Sequence, residues 1–534
     1  MKKYIVILLT GLWVFSSCAD KLDLTPANQI TQEQIMEILA SGDETQIDIV
    51  LGGIAGAVPT WIHRVLGGSD SRNNSLQNLL YVNNLQGCDI VLGLDATSFG
   101  WDAYRWVGKD GRNSLAISNT YYWGFGWKCV AEANRLLDFL PDDIVGESKK
   151  LKSYKASALT LRAYAYNFLM ENYRGAYQNN GEGLMIYDKL GGDYKPFSSA
   201  GATYDFIKQD LADAIRLFGE SEIGEDGDGY TVANTGDLDL SVTNFVRARV
   251  SLLTGDYATA ITACNAILEK YPNLIAADNY GGKNTGTDEE PEFLAATNAF
   301  LSFADNKNPE VIFGFADVGD SRNATSTWLN TFGLSYGGEV GEYARIVNTL
   351  YDKIAANDVR KGAFMGNTTF QEYEYHLSNG GISKRTVPSY SNLKFAATHG
   401  IDGKKESTSL SRFDICYMRT SEVLLMKAEA QAKNNDESGA KTTLNTLLAA
   451  RTVGETPLTC DNYGMTGNVL DMVKLQWRIE MWGENGLEYY NNKRWGVDAV
   501  RSADTNHRNN ITITVDKMTL DIPENERLYN PNLQ

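Results

Sequence analysis

The chain has 534 residues, of which 43% are hydrophobic and 22% are charged, proportions typical of a folded globular protein. Its formal net charge is −18, and no run of basic residues interrupts this excess of acids. Because such a surface repels phosphates, the composition argues against nucleic-acid binding. A polyanionic ligand would require a local basic patch.

The first residues resemble an export signal. Lys2 and Lys3 precede an apolar stretch from Tyr4 to Phe15. This stretch is shorter than the ~20 residues that a membrane-spanning helix needs, which favours a signal peptide. The sequence FSSC, ending at Cys18, then resembles a lipoprotein cleavage box.

We therefore expect residues 1–17 to be a lipoprotein signal peptide and Cys18 to be lipidated. Residues 18–28 would form a tether. An ordinary secretory signal followed by a chance cysteine is the alternative. No other stretch is apolar enough to span a bilayer, so the lipid is expected to be the only membrane anchor.

Five cysteines follow the cleavage box, and no two of them are close in sequence. An odd number of scattered cysteines argues against a disulfide framework, although a single bridge is left open. The five are Cys88, Cys129, Cys264, Cys416 and Cys460.

Residues 244–272 resemble one tetratricopeptide unit, which is a pair of antiparallel helices. Ala248 and Ala260 lie twelve residues apart, and small side chains at such positions let two helices approach closely. Gly255 suits the turn between the helices because glycine tolerates a positive φ angle. Pro272 ends the second helix.

The same spacing returns at Ala428 and Ala440, exactly 180 residues further along the chain. The repetition predicts a second unit of the same kind. Two unrelated helical hairpins are the alternative. Such units cannot bury their apolar faces alone, so three or more are expected to stack.

A third unit is predicted to be split by a glycine-rich excursion. Residues 151–173 show a helical pattern of apolar side chains, and residues 204–218 are the expected partner helix. The fourth pairing involves either residues 119–140, which are rich in aromatic side chains, or residues 469–490.

Long segments rich in Gly, Asn, Ser and Asp separate the predicted helices. Loops of this length inside a compact protein are usually functional or disordered. Short strands are predicted at Val311–Phe315 and Ile511–Val515. The predicted loops are residues 175–202, 220–242, 276–290, 366–410 and 452–467.

Motifs for catalysis and metal binding are weak. Residues 333–337 match the G-x-S-x-G pattern, but no buried strand precedes Ser335 and no helix follows directly. The four histidines lack metal-ligand spacing, and the acidic loop 225–229 does not fit a calcium loop. We predict no catalytic residue, metal or cofactor, with a structural calcium ion left open. The 67 acidic residues supply many carboxylate pairs, so a glycoside hydrolase is the enzymatic alternative.

Aromatic residues within polar segments indicate a sugar-binding surface. An aromatic ring stacks on the apolar C–H face of a sugar while nearby polar groups bind its hydroxyls. The densest cluster is WDAYRW, residues 101–106. Partly buried packing aromatics are the alternative for any single residue. The predicted ligand-binding residues are Arg72, Asp95, Trp101, Tyr104, Trp106, Tyr280, Trp328 and Tyr336.

The carboxy-terminal third contains motifs that resemble those of the SusD/RagB family of outer-membrane nutrient-binding lipoproteins. Weaker matches extend the resemblance over essentially the whole chain after the cleavage box. The motifs are Arg419–Ala430, Arg478–Glu480, Gly483–Gly486, Lys493–Gly496, Ile522–Glu526 and Asn530–Gln534.

The resemblance implies a mainly α, SusD-like fold over residues 29–534, with about four tetratricopeptide-like helix pairs and a loop-rich face with short strands. It also implies a cell-surface lipoprotein of the outer membrane that binds an oligosaccharide or polysaccharide without cleaving it. The expected partner is a SusC-like TonB-dependent transporter. A protein-interaction module without a glycan ligand is another alternative. The motif residues Glu422, Glu429, Arg478 and Glu480 are expected to form internal ion pairs.

Overall fold

The computed structural model describes most of the chain between residues 32 and 533. The described ranges are 32–43, 45–47, 49–52, 76–92, 100–224, 226–284, 293–294, 298–300, 308–315, 344–367, 370–376, 382–387, 389–395, 414–464 and 467–533. The predicted signal peptide, Cys18 and the predicted tether lie outside these ranges.

The described residues are mainly helical, as predicted. The first helices are α1 (Gln32–Ser41), α2 (Leu76–Leu85), α3 (Trp101–Arg105), α4 (Ile117–Asp138), α5 (Asp142–Val145), α6 (Lys149–Tyr173), α7 (Ala200–Ser221), α8 (Leu240–Thr254) and α9 (Tyr257–Lys270). The later helices are α10 (Asn348–Tyr351), α11 (Thr420–Lys433), α12 (Glu437–Ala450), α13 (Val469–Glu480), α14 (Leu487–Trp495) and α15 (Glu524–Tyr529).

Helices α8 and α9 form the first predicted hairpin. Ala248 and Ala260 are both fully buried, as expected for small residues at a close helix contact. Gly255 ends α8 with φ 83°, and its N–H donates to Ser251 O. Asp256 then begins α9 by accepting a hydrogen bond from the backbone of Thr259. Both helix ends that meet at this turn are therefore capped.

Helices α11 and α12 form the second hairpin with the same design. Ala428 and Ala440 are fully buried, and Asp436 caps α12 by accepting a hydrogen bond from Gly439 N. Helix α9 packs against α11, so the two hairpins stack on each other. The repeat predicted from the spacing of the alanines is confirmed.

The third hairpin consists of α6 and α7, which pack against each other across the excursion 174–199. Ser148 and Ser199 accept hydrogen bonds at the starts of these helices. Helix α4 packs against α6 and supplies the fourth pairing. Residues 469–490 do not form one helix, because Gly483 and Gly486 both have positive φ angles between α13 and α14.

The described strands form antiparallel two-stranded ladders. The predicted strand Val311–Phe315 is confirmed, whereas the strand predicted at 511–515 ends at Ile513. One ladder falls within the predicted loop 366–410. The pairs are β1 (Ile90–Val91) with β5 (Arg345–Ile346), β2 (Lys283–Asn284) with β3 (Phe293–Leu294), β4 (Val311–Phe315) with β8 (Ile415–Arg419), β6 (Phe370–His376) with β7 (Ile382–Val387), and β9 (Ala499–Arg501) with β10 (Ile511–Ile513).

The largest hydrophobic core includes side chains from Leu76 to Ile522. A smaller cluster joins α1 to the end of α4 and the start of α6. That residues 29–534 form a single domain stays a prediction. Within the described ranges, no helix combines the length and the apolar character needed to cross a membrane. Cys88, Cys129, Cys264, Cys416 and Cys460 are free thiols.

A network of buried charges joins the carboxy-terminal helices to the loops. Glu480 accepts hydrogen bonds from Arg419 at 2.8 Å, from Arg451 at 3.0 Å and from Arg360 at 3.1 Å. Glu310 also binds Arg419 and Arg451. Because every arginine in this network contacts a carboxylate, the charges compensate one another inside the core.

The other motif residues follow the same principle with one exception. Arg478 forms a hydrogen-bonded pair with Asp89, and Glu429 pairs with Arg494. These pairs and Glu480 confirm the predicted internal ion pairs. Glu422 is the exception in strength, because its ion pair with Arg249 spans 4.0 Å and has no hydrogen bond.

Candidate functional site

The aromatic segment at residues 101–106 forms the short helix α3 and its end. Gly100 precedes the helix with φ 99°, and a Cβ atom at this position would lie 2.5 Å from Leu85 Cδ1. Trp106 ends the helix with φ 60°, and its N–H donates to Ala103 O. A bulky residue rarely adopts a positive φ, so the backbone at this segment is unusually constrained.

Trp101, Tyr104 and His507 form a row of stacked rings. The ring centroids of Trp101 and Tyr104 are 5.8 Å apart, and those of Tyr104 and His507 are 6.0 Å apart. Trp101 is the outer, half-buried ring. The exposed side chain of Arg105 places its Cζ 5.8 Å from the centroid of the Trp101 ring. The row thus presents an indole and a guanidinium together.

Hydrogen bonds hold the inner rings in place. The Tyr104 hydroxyl lies 2.7 Å from His507 Nδ1, and His507 Nε2 lies 2.9 Å from Cys88 O. A carbonyl only accepts, so Nε2 carries the proton and Nδ1 accepts from Tyr104. Burial and the nearby Arg501 lower the pKa of His507 to about 4, so the imidazole is neutral at neutral pH.

Arg501 packs against Tyr104 at the buried side of the row. Its Cζ lies 4.1 Å from the centroid of the Tyr104 ring. The guanidinium donates to backbone carbonyls, including Leu85 O at 2.8 Å and Gly87 O at 2.9 Å. These contacts fix Tyr104 between a cation and a neutral imidazole, so Trp101 rests on a rigid base.

Trp106 has different surroundings from Trp101. Its Nε1 donates to Gln86 O at 3.1 Å, and Arg112 places its Cζ 5.3 Å from the centroid of the Trp106 ring. The ring also packs against Tyr489. Although half-buried, Trp106 is engaged in packing through its N–H and its ring.

Two of the predicted ligand-binding residues are buried and therefore cannot contact a ligand directly. Tyr104 is 0% exposed and supports Trp101 from below. Tyr280 is 1% exposed, and Arg451 Cζ lies 4.8 Å from the centroid of its ring. Its hydroxyl donates to Glu480 O at 3.3 Å. The polar sequence around Tyr280 favours a surface position, but in the structure the ring is buried against Arg451 of the charge network.

Four other predicted residues lie outside the described ranges. They are Arg72, Asp95, Trp328 and Tyr336. Their contribution to the site stays a prediction. The inner residues of the row, His507 and Arg501, were not predicted as site residues.

Two surface clefts are large, but their aromatic rings are less suitable than Trp101 for stacking on a sugar. In the cleft of ≈ 820 Å³, Lys361 Nζ lies 4.8 Å from the centroid of the Tyr351 ring, and Tyr390 packs against the same ring. In the cleft of ≈ 690 Å³, Tyr177 packs edge-on against Tyr204. The rings in both clefts pack edge-on against each other, whereas Trp101 presents its ring beside an exposed guanidinium and is the better platform.

One group in the described ranges has metal-like spacing. Ligand atoms of Cys88, Asp89 and Glu488 lie within 4.8 Å of one another. Glu488 accepts hydrogen bonds from the backbone N–H of Cys88 at 2.6 Å and of Asp89 at 3.0 Å. The Asp89 carboxylate is paired with Arg478. These protein contacts account for the cluster without an ion.

Sequence-family models match most of the described chain. The model of the SusD family matches residues 272–531. A second model, described as starch-binding associating with outer membrane, matches residues 83–223. The chain belongs to the SusD family. No curated protein is significantly similar to it in sequence.

Solved structures share the SusD-like fold. A SusD-like carbohydrate-binding protein from Bacteroides vulgatus is 21% identical, with a TM-score of 0.68 over 91% of this chain and 96% of that chain. A surface glycan-binding protein A from Bacteroides thetaiotaomicron, solved in complex with laminarihexaose, is 17% identical. It gives a TM-score of 0.62 over 91% of this chain and 98% of that chain. At these identities the similarity establishes the fold.

The buried charge network is formed in part by residues of the family motifs. Arg419 and Glu480 belong to motifs that the sequence shares with this family, and both are buried in the scaffold. Trp101 lies outside those motifs, on a short helix between loops. In this SusD-family protein, the motif residues hold the helices together and the candidate site is a separate feature.

Proposed function

We propose that this SusD-family protein binds a glycan at Trp101. The observation that carries the proposal is the half-buried indole held on the rigid Tyr104–His507 stack beside the exposed Arg105. A sugar ring stacks its C–H face on the indole, while the guanidinium donates hydrogen bonds to sugar hydroxyls. Because the supporting rings are already fixed, little side-chain entropy is lost on binding.

The proposal includes binding without cleavage. Trp101 is contacted by an aromatic ring and a guanidinium, which hold a sugar but cannot act as the carboxyl pair of a glycoside hydrolase. We expect no new reducing ends after prolonged incubation of the protein with any polysaccharide that it binds. Release of reducing ends by the purified protein would support the hydrolase alternative.

The proposal also places the protein on the cell surface. The FSSC box supports a lipid on Cys18, and one matching family model is described as associating with the outer membrane. A protein tethered there would capture glycan and pass it to a SusC-like TonB-dependent β-barrel transporter. The complex of a similar protein with laminarihexaose supports a carbohydrate as the ligand class.

A binding screen tests the central claim. The full mature chain would be assayed by affinity electrophoresis and calorimetry against a panel of neutral and acidic polysaccharides. For any polysaccharide bound, Trp101→Ala should weaken binding by about tenfold or more, the loss typical of an aromatic anchor. Tyr194→Ala is the matched control, because Tyr194 is an exposed aromatic on another loop. Equal affinity of the wild type and Trp101→Ala would rule out this site.

A further inference from the structure

We infer that an internal cavity between the helical hairpins binds about two ordered water molecules. The cavity measures ≈ 30 Å³, and its walls include residues of α2, α6, α8 and α14. A water molecule needs about 10–15 Å³ of such space, so a sugar or any other larger ligand does not fit. The row of Trp101, Tyr104 and His507 contributes no residue to these walls. The inference is therefore independent of the proposed function.

Arg249 on α8 supplies hydrogen-bond donors at the cavity wall. Its Nε lies 3.6 Å from Glu171 Oε1, and its Nη1 lies 4.0 Å from Glu422 Oε1. Both distances exceed the roughly 2.7–3.2 Å of an N–H···O hydrogen bond. The guanidinium also lies over the Tyr490 ring, with Cζ 5.6 Å from the ring centroid. Because a guanidinium carries five N–H donors, these contacts leave donors of Arg249 without an acceptor at bonding distance.

Three buried oxygen atoms in the same region need donors. Neither carboxylate oxygen of Glu422 accepts a hydrogen bond from a described group, and this side chain is 1% exposed. Asn167, which lines the cavity, donates from Nδ2 to Glu171 Oε2 at 2.7 Å. This bond fixes the orientation of the amide, so Asn167 Oδ1 is the acceptor that lacks a described partner. A buried polar atom without a hydrogen bond is unfavourable, which makes a bound donor at this place stabilising.

Water satisfies the donors and the acceptors together. A water molecule that accepts from Arg249 can donate to a carboxylate oxygen of Glu422 or Glu171, and it bridges a gap that is too long for a direct bond. A second water molecule can donate to Asn167 Oδ1. Internal water molecules typically make about three hydrogen bonds each, and cavities that stay dry are apolar. The polar wall formed by Asn167, Glu171 and Arg249 thus favours a hydrated cavity.

An ion fits this cavity less well than water does. The guanidinium of Arg249 repels a cation, and the carboxylates of Glu171 and Glu422 disfavour an anion. Water both donates and accepts, so it matches walls that present groups of both kinds.

The water molecules join three of the helical hairpins. Asn167 and Glu171 lie on α6, Arg249 lies on α8, and Glu422 lies on α11. Helix α8 packs against both α6 and α11. The bound water is therefore a structural ligand at the place where the hairpins meet, and it completes the hydrogen bonding of groups that do not reach one another directly.

A crystal structure of the full mature chain at high resolution tests the inference. We expect two peaks of water density in the cavity, within hydrogen-bonding distance of Arg249 and of Glu422 or Asn167. A second crystal would be soaked in rubidium bromide, since both ions give an anomalous signal. An anomalous peak in the cavity would identify an ion site and overturn the assignment to water. A cavity without density would overturn it as well.

A measurement in solution connects the water to this cavity. Val246 lines the cavity and is 2% exposed, so Val246→Ile adds a methyl group that should displace about one water molecule. Oxygen-17 magnetic relaxation dispersion counts internal water molecules that exchange slowly, and its amplitude should fall in this variant. Val500→Ile is the matched control, because Val500 is 50% exposed.

The outcomes are distinct. A lower amplitude for Val246→Ile than for Val500→Ile supports the inference, whereas equal amplitudes overturn it. Melting curves show whether Val246→Ile folds. If it does not fold, the crystal structure of the wild type decides the inference by itself.

Discussion

Glu422 lies 4.0 Å from Arg249, yet neither of its carboxylate oxygens accepts a hydrogen bond from a described group. The side chain is 1% exposed within helix α11. Burial raises the pKa of Glu422 to about 7, and Arg249 only partly opposes this effect. Among the motif residues Glu422, Glu429, Arg478 and Glu480, Glu422 has the weakest pairing.

The raised pKa predicts the effect of pH on stability. The folded state binds the Glu422 proton more tightly than the unfolded state, in which the carboxyl has its ordinary pKa of 4.5. The stability that this group contributes is therefore complete below pH 4.5 and is lost as the pH rises through about 7. Glu422→Gln removes this dependence and should raise the free energy of unfolding at pH 8 by about 1–3 kcal/mol.

Urea denaturation of the wild type and Glu422→Gln at pH 5 and pH 8 measures this difference. The two proteins should be similar at pH 5 and should diverge at pH 8. A variant that is less stable than the wild type at pH 8 would show that the carboxylate is ionised and favourably paired with Arg249.

Glu429 should behave in the opposite way. Its carboxylate binds Arg494, Trp495 Nε1 at 2.9 Å and Lys433 at 3.0 Å. Burial opposes ionisation, but these partners outweigh it and lower the pKa of Glu429 to about 2. The stability from this group is present above pH 4.5 and is lost as the pH falls through about 2.

We therefore expect Glu429→Gln to destabilise the protein at pH 7 by about 3–5 kcal/mol, because a largely buried Arg494 loses its countercharge. Denaturant titrations at pH 7 and pH 3 test this prediction, and the deficit should be smaller at pH 3. Lys441→Ala serves as the control, since Lys441 pairs with Asp461 on the surface. If Glu429→Gln lost no more stability at pH 7 than Lys441→Ala, the proposed role of the Glu429–Arg494 pair would be contradicted.

The hairpins could be predicted from the sequence because their signals are local. Ala248 and Ala260 lie on adjacent helices joined by Gly255, so spacing and turn chemistry were sufficient. The ladder of β6 and β7 was missed because its strands lie in a long polar segment. The break between α13 and α14, where Gly483 and Gly486 have positive φ angles, was missed.

The site was only partly predictable. The aromatic cluster pointed to Trp101, but the partner of Tyr104 is His507, which lies 403 residues away in the sequence. No local pattern marks such a pair. The sequence also gave no means of separating Trp101 from the buried Tyr280, because both are aromatics in polar segments. Burial follows from the tertiary contacts of Tyr280 with Arg451 and Glu480.

The proposed lipidation of Cys18 predicts that the protein is held at a membrane. Cys18→Ala removes the only acceptor of a diacylglyceride in the FSSC box, so the variant should leave the membrane fraction. Metabolic labelling with a fatty acid and fractionation of cells compare the wild type and the variant. Labelling of Cys18→Ala, or unlabelled wild type in the soluble fraction, would favour an ordinary secretory signal.

The last prediction concerns the support beneath Trp101. Tyr104→Phe keeps the ring but removes the hydroxyl that donates to His507, so it should cost about 1–2 kcal/mol of stability and change glycan affinity less than threefold. Tyr104→Ala removes the ring on which Trp101 stacks and should weaken glycan binding about as much as Trp101→Ala. Calorimetric titrations and melting curves distinguish the two effects. If Tyr104→Ala folds and binds glycan as tightly as the wild type, Trp101 does not depend on the stacked row for its orientation.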